Sequence, residues 1–151
     1  MARRTSAASS SVPTDAGGAV NHDETVREFL RRRGCPDEVV ARGLLGLVEQ
    51  WEKTAEAVET GYSLGLDDYL NDMDSRQLIE EALEFASEIE TLQVKARLAA
   101  ADKRMRAALK PRPSCLWGEG IGRYHDWSPD RNWWYFSVPR APGPDLAAEL
   151  K

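Results

Sequence analysis

Between Val40 and Val58 the apolar positions recur at steps of four and three: Val40, Leu44, Leu47, Trp51, Thr54 and Val58. That spacing holds one stripe on one side of a helix and predicts a helix over 37–60. Pro36 suits a first turn, and Asp37 and Glu38 match the positive end of the helix dipole. Gly43 and Gly46 fall inside the helix, each costing about 1 kcal/mol of propensity relative to Ala. Such glycines usually admit a close neighbour, so another element is expected to cross there. A shorter helix over 24–33 precedes it. Val26, Phe29 and Leu30 make its stripe, Asp23 stands at its cap and Gly34 ends it.

Gly61-Tyr62-Ser63-Leu64-Gly65 interrupts the helical pattern. Residues 66–72 predict one or two turns, with Leu66, Tyr69, Leu70 and Met73 inward. Asp74 or Ser75 then caps a long helix over 76–109, which contains neither Gly nor Pro. That helix carries two seams. Leu78, Ala82, Phe85, Ile89, Leu92, Ala96 and Ala99 follow a heptad spacing. Val94, Leu98, Ala101, Met105 and Ala108 follow another. The offset of two residues is about 200° around the helix. One seam faces the bundle, and the other faces a second protomer or the C-terminal segment.

Beyond Pro111 the helical period disappears until a last turn at 145–150. The segment Asp130-Arg-Asn-Trp-Trp-Tyr-Phe-Ser-Val-Pro-Arg140 is the most distinctive in the chain. Its aromatic run predicts a strand over 133–138, closed by Pro139. Strand alternation would give Trp133 and Tyr135 one face and Trp134 and Phe136 the other. Both faces are thus large and apolar: either the strand packs within its own chain, over Gly43 and Gly46 or the Leu98, Ala101 and Met105 seam, or one face is left for docking. The fold class expected is therefore mainly α: a small helical bundle with one long helix in its C-terminal half, then a short aromatic β-hairpin or extended arm. Its divisions are a disordered tail over 1–21, a helical bundle over 22–110 and the aromatic arm over 111–151.

Composition agrees with a globular chain. Of 151 residues, 42% are hydrophobic and 30% charged. No run approaches the roughly 20 apolar residues of a membrane span. The net charge of -5 conceals an asymmetry: 49–90 holds thirteen acids against two bases, and 91–112 holds seven bases against one acid. Such a chain can pair antiparallel with its own copy or steer a charged partner. Cys35 and Cys115 lie far apart without a CxxC or a nearby metal-spaced His. They read as free thiols in a cytoplasmic setting.

Four stretches invite a chemical reading. Asp67, Asp68, Asp72 and Asp74 do not keep calcium-loop spacing, because Arg76 takes the fifth position counted from Asp72. The glutamates of 80–90 have no Glu-x-x-His partner and read as a solvated face. Gly118, Gly120 and Gly122 miss the dinucleotide fingerprint by one residue, with Arg123 in the third glycine's place. Cys115, His125, Asp126 and Asp130 contain the residue types of a nucleophile, base and orienter, with no spacing that brings them together. No catalytic residue, cofactor or metal is expected.

The expected function is a non-enzymatic, acidic interaction protein of regulatory, adaptor or inhibitor type, self-associating through the long helix as a homodimer. A basic protein partner would fit its acidic middle. Trp117, Trp133, Trp134, Tyr135 and Phe136 are the candidate partner-binding residues, since Trp and Tyr dominate hot spots. A nucleic-acid regulator is the alternative, with Lys103, Arg104, Arg106 and Lys110 as its basic patch. A third reading is a small-molecule or enzymatic pocket at the arm, with Tyr124, His125, Asp126 and Arg131 as its polar groups.

Overall fold

The computed structural model describes residues 23–151. The expected tail over 1–21 lies outside them. The chain is mainly helical, with a small antiparallel two-stranded ladder toward the C-terminus. The elements run α1 (Val26–Arg32), α2 (Asp37–Glu59), α3 (Leu66–Ala82), a 3-10 turn (Leu83–Phe85) and α4 (Glu88–Ala108). Then follow β1 (Leu109–Pro111), α5 (Glu119–Tyr124), a second 3-10 turn (Trp133–Phe136), β2 (Ser137–Pro139) and α6 (Pro144–Glu149). The contacts divide this chain into two compact units.

The first unit holds residues 23–49 with Leu78–Ala96. Thr25, not Asp23, caps α1. Its hydroxyl accepts from Glu28 N–H at 3.2 Å, while the Glu28 carboxylate accepts from Thr25 N–H at 2.9 Å. This reciprocal box starts the helix two residues later than the apolar pattern suggests. Val26, Phe29 and Leu30 are buried, and Phe29 stacks on Phe85 with ring centroids 4.9 Å apart. Ser87 and Glu90 form a second box, at 3.1 and 2.9 Å. That box ends the predicted continuous helix: Ala86 turns extended at φ -77°, ψ 143°, and α4 starts afresh at Glu88.

The glycine crossing in α2 takes a different form. Gly43 stands at φ 63°, ψ -153°, and a Cβ built there would meet no other atom within 4 Å. Its requirement is a backbone conformation closed to side-chain-bearing residues, which kinks the helix. Gly46 has only the side chain of Arg42, one turn earlier, against it.

The second unit holds Gln50–Gln77 with Arg97–Lys151. Here α3 runs unbroken through Asp74 and Ser75, so neither caps a helix. Glu149 supplies the cap from far along the chain, its carboxylate accepting Leu66 N–H at 2.8 Å. Trp51, Val58, Tyr69, Met73, Met105 and Leu146 are among the buried side chains. β1 pairs antiparallel with β2, Lys110 opposite Val138. Gly143 lets the tail reach Tyr62: its N–H donates to Tyr62 O at 2.9 Å, and a Cβ there would lie 2.5 Å from that oxygen.

The strand expected over 133–138 forms only at its end. Residues 133–136 coil into a 3-10 turn, with Tyr135 N–H donating to Asn132 O at 2.9 Å and Ser137 Oγ to Trp133 O at 2.7 Å. Local closure to Asn132 and Trp133 removes the alternation of faces, and all four aromatic side chains are buried.

Candidate functional site: a tethered aromatic cluster and an open helix face

In the second unit, α3 offers acceptors and donors to the aromatic turn along one side. Asp74 accepts Tyr135 O–H at 2.6 Å and Trp117 Nε1–H at 3.0 Å. Gln77 accepts from Asn132 Nδ2 at 3.0 Å, and Tyr69 O–H donates to Ser137 O at 3.4 Å. Arg76 is 5% exposed, yet its charge is met. Asp102 accepts its Nε and Nη2 at 3.0 and 2.9 Å and also accepts Trp51 Nε1–H at 2.9 Å. The Trp134 ring covers the guanidinium at 4.5 Å, a cation–π contact in a desolvated setting. The Trp134 N–H is the one buried side-chain polar atom without a hydrogen bond among the described residues.

These contacts report on the sequence candidates. Trp133, Trp134, Tyr135 and Phe136 are held by their own chain, with Trp133 6.4 Å from Trp51. Of the candidate set only Trp117 reaches solvent, at 39%. The basic candidates have separate surroundings. Arg104 is ion-paired with Glu59, Arg106 covers the Trp133 ring at 4.9 Å, Lys103 is exposed on α4 and Lys110 lies on β1. Arg97 binds Glu52 in the same manner as Arg104 binds Glu59, and each arginine holds its glutamate below the usual carboxylate range.

The arm's polar set is partly assembled. Arg131 Nη2 donates to Asp126 O at 2.7 Å, and His125 stacks on Trp127 at 4.5 Å, which stacks on Tyr135 at 4.1 Å. Tyr124 is 84% exposed. Cys115 is buried against Gly122, and burial pushes its thiol up, the reverse of an activated nucleophile. Burial likewise pushes the Asp72 carboxyl up, against the lowering effect of the Tyr62 hydroxyl that donates to it at 2.6 Å. Burial and Asp72 together raise the Tyr62 phenol well above its usual value.

In the first unit the outward side of α4 differs in kind. Ile89 and Leu92 are 71% and 72% exposed, and Ala96, a heptad after Ile89, is exposed too. Val94, 1% exposed, marks the inward side. So the first of the two seams, beyond the Ser87 cap, points to solvent. Glu88 and Lys95 flank this stripe on one side, seven residues apart and both exposed. An open groove of about 400 Å³ also lies in this unit, between Arg27, Arg42, Gly43 and Gln93.

Among the described residues no group of three His, Cys, Asp or Glu side chains gathers to hold a metal ion, and no helix is long and apolar enough to cross a membrane. Comparison with family models, with curated proteins and with solved structures finds no match.

Proposed function

We propose that this chain is a non-enzymatic interaction protein that self-associates through the outward face of α4. The observation that carries the reading is the exposure of Ile89 and Leu92 at heptad spacing on a capped helix. Contiguous exposed apolar surface marks interaction sites, and Ile89, Leu92 and Ala96 adjoin on one helical stripe. The occupant is a second copy of the chain. An antiparallel pairing near Leu92 sets Glu88 of each copy against Lys95 of the other, two reciprocal ion pairs from one symmetric contact. Ala96 lets the helix backbones come close.

A basic partner for the acidic middle remains compatible with this reading, as do regulatory, adaptor and inhibitor roles and a cytoplasmic setting for the two free thiols. The nucleic-acid reading has less support, because Arg104 is committed to Glu59 and Arg106 to Trp133. Light scattering across a concentration series tests the proposal. Twice the chain mass is expected, falling to a single chain in Ile89→Lys/Leu92→Lys with unchanged circular dichroism. A concentration-independent monomer for the unmodified chain refutes it. Charge reversal at Glu88 alone should weaken the dimer, and adding Lys95→Glu should restore it.

A further inference from the structure

The second unit contains a recess of about 480 Å³ that the aromatic cluster does not use. Its walls come from β1 and the turn after it, from β2, and from α6. Pro111, Pro139, Val138 and Leu150 make the apolar part. Prolines hold φ fixed and have no N–H to satisfy, so these walls are preorganised. The volume falls in the range of small-ligand sites.

The charged side chains around the recess are all of one sign. Lys110 and Arg112 both line it, and no carboxylate side chain does. Several other described arginines are matched to acids, Arg76 to Asp102, Arg97 to Glu52 and Arg104 to Glu59, while Arg106 covers the Trp133 ring. Among the described residues Lys110 has no ion partner, and the Arg112 guanidinium has only Ser114, whose Oγ accepts from Nη2 at 3.3 Å. A guanidinium carries five N–H donors, so most of the Arg112 fork is left for a ligand. The Arg112 main chain is tied to the aromatic turn, its N–H donating to Phe136 O at 2.9 Å. The β1–β2 register sets Lys110 across from Val138, and cross-strand neighbours share a face. A cation and an apolar wall are thereby offered to the same occupant.

We infer that this recess binds a small organic anion, a carboxylate or phosphate group on an apolar body. The anionic group meets the Arg112 fork and the Lys110 ammonium, and the body lies against Pro111, Pro139 and Leu150. Arginine suits planar, two-pronged recognition of either group. The inference does not depend on self-association.

The test is a titration of the full-length protein followed by amide chemical shifts. Phenyl phosphate and cyclohexanecarboxylate are the probes, with inorganic phosphate and benzyl alcohol as controls. Saturable shifts are expected at residues 110, 112, 114, 138 and 150 with at least one probe. Binding should be at least tenfold tighter than for benzyl alcohol and for inorganic phosphate, since both the charge and the body contribute. The better probe identifies the anionic group. Arg112→Gln and Lys110→Gln should each weaken binding severalfold. Lys110 is exposed, so its variant keeps the fold if Arg112→Gln does not. No saturable shift up to about 10 mM, well above where a millimolar site would fill, overturns the inference. So does equal binding of the neutral alcohol, or a Lys110→Gln variant with undiminished affinity.

Discussion

Replacing Asp102 by alanine tests whether the buried polar centre of the second unit is organised as described. Asp102 serves two donors at once, the Arg76 fork at 3.0 and 2.9 Å and the Trp51 indole at 2.9 Å. The Arg76 side chain is 6% exposed and that of Asp102 21%. Removing the carboxylate leaves a guanidinium charge out of water beneath the Trp134 ring, and breaking such a buried pair costs about 3–5 kcal/mol. Partial exposure of Asp102 admits some water, so the lower end, about 3 kcal/mol, is expected. The indole N–H loses its acceptor as well, at a cost of about 1 kcal/mol or more. Together these remove a large share of a domain stability of order 5–15 kcal/mol. The assay is urea unfolding read by fluorescence, which the five tryptophans make sensitive to this unit. Arg76→Met/Asp102→Leu should recover at least half of the loss, because it removes the buried guanidinium charge together with the carboxylate that meets it. A loss below about 1 kcal/mol for Asp102→Ala, the range of exposed pairs, would refute the reasoning, since the pair would then be solvated.

Other outcomes follow from single features. Gly43→Ala should cost about 1–3 kcal/mol because φ 63°, ψ -153° excludes a side chain, whereas Gly120→Ala in α5, with open space around it, should be neutral or stabilising by chemical denaturation. Ser87→Ala should lower stability by about 1 kcal/mol and loosen the start of α4, visible as faster amide exchange at residues 88–91. Trp133→Ala and Trp134→Ala should both destabilise by about 3–5 kcal/mol, since both rings are buried; loss of assembly with full stability in either would contradict the packing. The Asp72 carboxyl is raised in the folded state, so its neutral form stabilises the fold below the unfolded pKa, and that contribution is lost as pH rises through the folded value. Asp72→Asn should therefore flatten the fall in stability from the ordinary carboxylate range upward; an unchanged pH profile would count against a buried Asp72.

Local sequence carried the helices, because a periodic apolar stripe is a property of neighbours in the chain. The 37–60 stripe matches α2 within one residue at its end, and the turn at 61–65 lies where glycines interrupt the pattern. Two boundaries were also written locally in a weaker sign. Thr25 with Glu28 and Ser87 with Glu90 are capping boxes three residues apart. The second splits a stretch whose heptad runs on past it, so the apolar period alone joined two helices into one. The split also decides the candidate surface, since it sends Ile89 and Leu92 outward while Val94 packs inward.

What the tertiary structure alone decided are the partners distant in sequence. Nothing near Arg76 announces Asp102, nothing near Leu66 announces Glu149, and nothing near Asp74 announces Tyr135. The aromatic run shows the limit most clearly. Composition marked Trp133–Phe136 as exceptional, and strand propensity assigned it two faces. Hydrogen bonds from α3 and the Arg76 guanidinium instead hold a coiled turn in which every ring is covered. Burial of an aromatic side chain depends on what the rest of the chain brings to it. The sequence could fix that these rings matter, while only packing could determine that they serve the fold.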